Sequence, residues 1–523
     1  MILAAGLVLA ALVFAPGLGF LSRMLGPSTG NLFALTPTQF AALRETMWLM
    51  AGVAALTASI GVSTAWLVSV HEFPLRRAID IGLVLPLAFP TYLIAYVAVD
   101  LLDFFGPVQS AFRAITGYRL ANEYYFPSIR SLPGAVILLS LVLMPYVYVP
   151  CRILFTRSGR NIVEAARLLG ASGWRLFFRI GLPIAKPAIL TGVVLALLET
   201  LNDIGAVEYL GVSSLSAVIR DLWLNRFDLA GAARLAGLLI AIVVLLLLIN
   251  PQSRSGIVPR QAERSSSEPR RVPLSAGKAW AATGFCLLPV ALGFVIPVLH
   301  LVSRAIRYLG ALSMDHELLQ AVFATVFIAL AVSAVVMICG ALIAIAQRVT
   351  GVFNRVGPLT MLGYATPGTV LVLAIMPVLG TFDDALVGMG LPALFIGAHA
   401  AVIYALSARF LGIGTTQAGL ALARLPANVD AVARIHGYGD IRLATRIHWP
   451  AIQPGLKLGA ILVFIDTVKE LPATLLLRPL NVETLATRAY AKASAGMFEH
   501  GALDSLLIVA ISALAAIALS RRN

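Results

Sequence analysis

Apolar stretches recur along the whole chain, and about 20 such residues cross a hydrocarbon layer of about 30 Å as one helix. They lie near 1–21, 47–70, 79–101, 133–155, 185–205 and 233–250, then near 279–303, 318–346, 357–380, 390–411, 455–475 and 503–520. The expected fold is an all-α integral membrane protein with about 12 transmembrane helices in two pseudo-repeated six-helix halves. Composition agrees: 12% of the residues are charged, where soluble domains carry about 25%. The halves are expected at 1–250 and 278–523, joined by a cytoplasmic linker at 251–277 whose core, SRSGIVPRQAERSSSEPRR, is polar and rich in Ser, Pro and Arg.

Short loops rich in Lys and Arg stay on the cytoplasmic side. Between Arg152 and Leu182 there are six arginines against the single Glu164. Arg76–Arg77, the linker, Arg348 with Arg355, and Arg521–Arg522 also follow even-numbered spans, so both termini are expected in the cytoplasm. The net charge of +14 is then mostly topology, and no nucleic-acid partner is expected. The first span lacks a basic leader and a small-residue cleavage site, so it is expected to be a retained helix. Cys151, Cys286 and Cys339 show no paired spacing, and the histidines show no metal-ligand spacing.

One polar loop occurs twice. EAARLLGASGWRLFFRIGLP runs from Glu164 to Pro183, and AVARIHGYGDIRLATRIHWP from Ala431 to Pro450. Gly170 and Gly437 are 267 residues apart, as are Pro183 and Pro450. At the same offset Arg167, Arg175, Leu176, Arg179, Ile180, Pro187, Gly192 and Thr200 meet identical residues. In the first copy the pattern predicts an amphipathic helix ended by Gly170 and Gly173, then a second short helix, RLFFRI, up to Pro183, where the next span starts. A short helix lying along the membrane at the ends of two spans can transmit a push from a cytoplasmic partner.

EAA, then a glycine after three residues, then I-x-L-P resembles the cytoplasmic coupling loop of binding-protein-dependent ABC importer permeases. The resemblance covers both halves and implies that two copies of a cytoplasmic ABC ATPase dock there. It assigns the contact to Glu164, Ala165, Ala166, Gly170, Ile180, Leu182 and Pro183 in the first copy. In the second copy it assigns Ala433, Gly437, Ile447 and Pro450. That copy departs from the pattern at Ala431, Val432 and Trp449, with Asp430 offering a substitute charge. The resemblance also implies a bacterial inner-membrane location and a periplasmic or lipid-anchored solute-binding protein. ETLNDIGAVEYLGV (199–212) and DTVKELPATLLLRPLNVETLATRAY (466–490) are similar to fused permeases of ferric-iron importers, while thiamine and phosphonate permeases share the general plan.

Ionisable groups inside spans are costly and default to functional sites. Glu199 and Asp203 stand four apart on one helical face, and the offset of 267 carries them onto Asp466 and Glu470. The four carboxylates either line a central path, where oxygen donors suit a hard cation, or lock and gate the helices, with Lys469 placed to neutralise Asp466. Pro86, Pro90 and Pro367 fall inside the third span of each half and would kink it, either beside that path or merely in packing.

No G-x-x-x-x-G-K-[ST] phosphate loop and no hydrolase or dinucleotide motif is present. The chain is therefore expected to be a transport subunit and not an enzyme, to bind no cofactor itself, and to leave ATP and Mg to the partner ATPase. An ion-coupled secondary transporter is the rival class, since twelve spans in two halves suit that plan as well.

Overall fold

Four prolines set the register of the long helices. The computed structural model describes residues 2–24, 35–157, 166, 170, 173–249, 271–309, 316–351 and 359–520. Within them, π-helical turns at Ala10–Phe14, Phe177–Gly181, Ala291–Val295 and Ala444–His448 each end two residues before a proline: Pro16, Pro183, Pro297 and Pro450. Proline lacks an N–H and its ring presses on the carbonyl four residues back; the wider turn relieves that clash without ending the helix. Pro183 therefore does not start a span. A single helix runs from Gly173 to Asn202, and its counterpart from Asp440 to Val468, so the short second helix expected in the first loop is the beginning of the span itself.

The elements used below are α1 (Ala4–Ser22), α2 (Pro37–Val70), α3 (Thr91–Leu102), α4 (Leu132–Leu143), α5 (Pro145–Arg157), α6 (Gly173–Asn202), α7 (Gly205–Tyr209), α8 (Leu215–Leu224) and α9 (Leu229–Ile249). The second half supplies α10 (Ala276–Arg307), α11 (His316–Thr350), α12 (Gly368–Gly388), α13 (His399–Leu422), α14 (Ala427–Ile435), α15 (Asp440–Val468), α16 (Pro472–Leu477), α17 (Leu485–Ser494) and α18 (Phe498–Ser520). Among the described residues ten helices are long and apolar enough to cross a membrane, and the pair α4–α5, bent by 41°, makes an eleventh. The twelfth expected span, near 390–411, corresponds to α13. It is long enough at 24 residues but carries Arg409 and a polar end, and it is buried among its neighbours, so it needs no apolar skin. Outward-facing Leu7, Leu18, Trp48, Phe323, Phe327, Leu330 and Leu514 are instead exposed, as lipid-facing positions should be.

The third span of the first half is broken, as its prolines predict. Arg76–Gly82 is helical, Leu85–Ala88 forms a 3₁₀ turn, and α3 begins only after Pro90.

Each half lends its first helix to the other. Ala5, Leu9 and Leu12 of α1 are buried in the apolar core of α11, α12 and α13, while Ala279, Ala282, Cys286 and Val290 of α10 complete the core of α2 and α5. Beyond the linker, of which 251–270 lie outside the described residues, the chain returns to the first half. Val272–Pro273 pairs in parallel with His71–Glu72, next to the Arg76–Glu72 ion pair at 3.2 Å.

Small residues let the second-half spans cross closely. Gly340 of α11 meets the backbone of Gly414 of α13 directly, with no room for a Cβ on Gly340. Gly340→Val is expected to force the two helices apart and to destabilise the fold by about 1–3 kcal/mol, read as a lower melting temperature of the purified protein. Conserved-size Gly340→Ala should cost less but not nothing.

Candidate functional site

Both pairs of carboxylates sit where a long helix ends. α6 stops at Asn202 and α15 at Val468, and the chain turns at once into the short helices α7 and α16. Those turns face each other and the N-terminus of α3 around a cavity of about 80 Å³, room for several waters. Glu199, Asp203, Asp466 and Glu470 all line it, with Pro90, Thr91, Tyr92 and Tyr146 from the first half and Arg409 and Lys469 from the second. The sequence pattern thus places all four acids at one site.

Their environments differ. In the second half, Glu470 is buried and accepts hydrogen bonds from the backbone N–H of Ala473 (2.8 Å) and Thr474 (2.9 Å) and from the Thr474 hydroxyl (2.7 Å). It therefore caps α16, and Nη1 of Arg409 lies 3.2 Å away as its counter-ion. Asp466 is paired with Lys469 at 2.9 Å, as the spacing predicted. In the first half, Asp203 caps α7 through one oxygen, accepting from Ala206 N–H at 2.9 Å, while its Oδ2 is buried with no hydrogen-bond partner. Glu199 accepts from the Tyr364 hydroxyl at 3.1 Å. Among the described residues neither first-half acid has an ion-pair partner within 4.0 Å.

The two acids of each half are thus not equivalent to those of the other. Glu470 and Asp466 are neutralised; Glu199 and Asp203 are not. Arg409 was missed in the sequence, although the rule applied to the acids, a charge at membrane depth, applies equally to an arginine within an apolar run. Tyr92 and Tyr364 carried no such signal. Asn202, next to Asp203, accepts from Gly368 N–H at 2.8 Å and so ties the end of α6 to the start of α12 behind Pro367. Among the described residues no group of three or more His, Cys, Asp or Glu side chains is placed to hold a metal ion.

The repeated loops lie at the opposite ends of α6 and α15. In the first, Glu164 and Ala165 lie outside the described residues. Ala166 is buried, and Gly170 takes φ +85°, the left-handed geometry that favours glycine where a helix ends. Ile180 and Leu182 pack on the first-half core, and Trp174 and Phe178, 5.6 Å apart, are exposed beside them. In the second loop α14 ends at Gly437, which takes φ +78° in register with Gly170. Ala433 is buried and Val432, Ile435 and Ile441 are exposed.

Asp430, the substitute charge in the second copy, is paired with two spans. Its carboxylate accepts from Nε of Arg348 at 2.7 Å and lies 3.0 Å from Nε2 of His448. Burial raises its pKa, but these two partners outweigh that and hold the carboxyl below the usual range.

Comparison with known proteins bears on both features. Residues 58–251, which contain the first loop, Glu199 and Asp203, match the family described as binding-protein-dependent transport system inner membrane component. The Fe(3+)-transport system permease protein FbpB 2 of Haemophilus influenzae is 24% identical over 481 residues, 90% of this chain and 88% of that one. The molybdenum transport system permease protein ModB of Escherichia coli is 30% identical over 197 residues, 36% of this chain and 82% of that protein. The sulfate transport system permease protein CysT of Escherichia coli is 28% identical over 236 residues, 42% of this chain and 80% of that protein.

Proposed function

The chain belongs to the family of inner membrane components of binding-protein-dependent transport systems, and from that premise we propose that it is the two-half gate through which ferric iron enters a bacterial cell. The halves 1–250 and 278–523 enclose the path, and both termini lie in the cytoplasm. Two copies of a cytoplasmic ABC ATPase, which hold the ATP and Mg, grip the loops at 164–183 and 431–450. A periplasmic or lipid-anchored binding protein delivers solute to the other face. When the ATPases close, the loops are drawn together and the cavity changes the side to which it opens.

The observation that carries the choice of cargo is the charge of the cavity. By formal charge, four acids against Arg409 and Lys469 leave the cavity an excess of two negative charges, and Glu199 and Asp203 are the acids without an ion-pair partner within 4.0 Å among the described residues. Sulfate, the oxyanion named for one of the relatives, would be repelled there, whereas a hard cation finds oxygen donors. The relative that spans nearly the whole chain is named for Fe(3+) transport. Among the described residues no set of three ligands converges, which suits a passage that must release its cargo.

The test is uptake of radiolabelled iron, molybdate and sulfate by cells lacking this chain and by the same cells carrying it. Iron accumulation restored by the chain, with the oxyanions unchanged, is the expected outcome. Restoration of molybdate or sulfate uptake instead would overturn the assignment of cargo and leave the family membership standing.

A further inference from the structure

The second loop is fastened to its own half by a cluster of charges. In the second half one carboxylate, Asp430 of α14, bridges two spans: Arg348 in the last turn of α11, and His448, fully buried where the π-turn of α15 ends. Arg348 also donates to the carbonyls of Leu422, Leu425 and Pro426, where α13 runs into α14. The clamp therefore gathers α11, α13, α14 and α15 at one point. The loop positions 267 residues before Asp430 and His448 are Val163 and Gly181, neither able to ionise. At Gly181 the first half has an aromatic wedge. The Trp66 ring fills the space over Gly181, where a Cβ would come within 2.6 Å of it, and packs edge-on against Phe155 at 5.2 Å and Phe177 at 5.4 Å.

α14 has two working faces. Asp430 and the buried Ala433 point at the spans, while Val432 and Ile435, three residues apart, are exposed on the other side. A partner gripping the exposed face pulls on a helix whose only flexible exits are the loop before Ala427 and the left-handed turn at Gly437. Without a clamp, that pull would tilt α14 alone.

We propose that Arg348, Asp430 and His448 are positioning residues that make α14 move as one body with α11 and α15, through a partly buried charge cluster. In the second loop the acid beside the motif faces the membrane helices. This rests on the coupling role proposed for the loops.

The experiment uses the whole complex with its ATPase in lipid nanodiscs. Spin labels replace Phe105 and Leu480, exposed loop residues of opposite halves that lie beyond the ends of the spans distant from the coupling loops. Distance distributions are recorded without nucleotide and with ATP plus vanadate, together with ATP turnover and the melting temperature. With Asp430→Asn, the nucleotide-driven change in distance per ATP hydrolysed is expected to fall at least about fivefold, and Asp430→Glu should restore most of it. Arg348→Gln should behave as Asp430→Asn does, and the two together no worse than either. A lowered melting temperature with full distance change in Asp430→Asn, or Asp430→Glu as impaired as Asp430→Asn, would overturn the proposal. Should the unaltered complex retain no ATPase or show no nucleotide-dependent change, it is the coupling role itself that fails.

Discussion

Glu199→Gln together with Asp203→Asn is expected to lower iron uptake at least about a hundredfold, and to do so without loss of the folded protein. The estimate follows from charge. A cation about 4 Å from a carboxylate at an effective dielectric near 20 gains about 4 kcal/mol, and losing two such contacts leaves the cavity with no net charge once Arg409 and Lys469 have cancelled their partners. Even a partial loss of that stabilisation, raising the transit barrier by about 2.7 kcal/mol, gives two orders of magnitude. The substitutions are chosen to spare structure. Asparagine keeps an oxygen for Ala206 N–H, and glutamine keeps one for the Tyr364 hydroxyl. Uptake of radiolabelled iron, normalised to protein in the membrane and to ATP turnover, is the measurement. Unimpaired uptake by the double variant would remove the acidic cavity from the path.

The spacing of residues located this site; it did not reveal its asymmetry. Helical periodicity within one span is enough to put Glu199 beside Asp203 and Asp466 beside Glu470, and a constant offset of 267 maps one pair onto the other. It is blind to partners on other helices. Arg409 reaches Glu470 across 61 residues of chain, and Asp430 reaches Arg348 across 82. A reading confined to one segment therefore cannot say whether Glu470 lines a path or locks helices, nor that Asp430 is paired with another span. Span boundaries suffered from a different limit. Proline usually marks a helix start, but a π-turn two residues upstream absorbs it, so α6 and α15 run on through Pro183 and Pro450. Hydropathy, finally, senses contact with lipid more than membrane depth. α13 is shielded by its neighbours and needs less of it, and the exchange of first helices between halves leaves no mark on composition at all.

The largest stability effect is expected at Arg409. Its guanidinium and the Glu470 carboxylate are 5% and 3% exposed, so either one left alone stays largely shut off from bulk solvent. Arg409→Met should cost about 3–5 kcal/mol, the range for breaking a buried pair from one side. Glu470→Gln should cost less, because a glutamine oxygen can still cap α16 through Ala473 and Thr474, yet it strands the arginine charge. Replacing both should recover most of the loss, since two apolar or neutral groups of similar volume avoid the desolvation cost that the pair carries. Thermal unfolding in one detergent, read for the two single variants and the double, closes the cycle. Lys469 with Asp466 is the internal control. Both are 20% exposed, so breaking that pair should cost distinctly less than breaking the buried one. A double variant no more stable than the worse single would mean that Glu470 is held by its backbone donors alone. The cavity's charge would then need recounting, because an arginine not bound to Glu470 is free to offset Glu199 or Asp203, and the case for a cation would weaken with it.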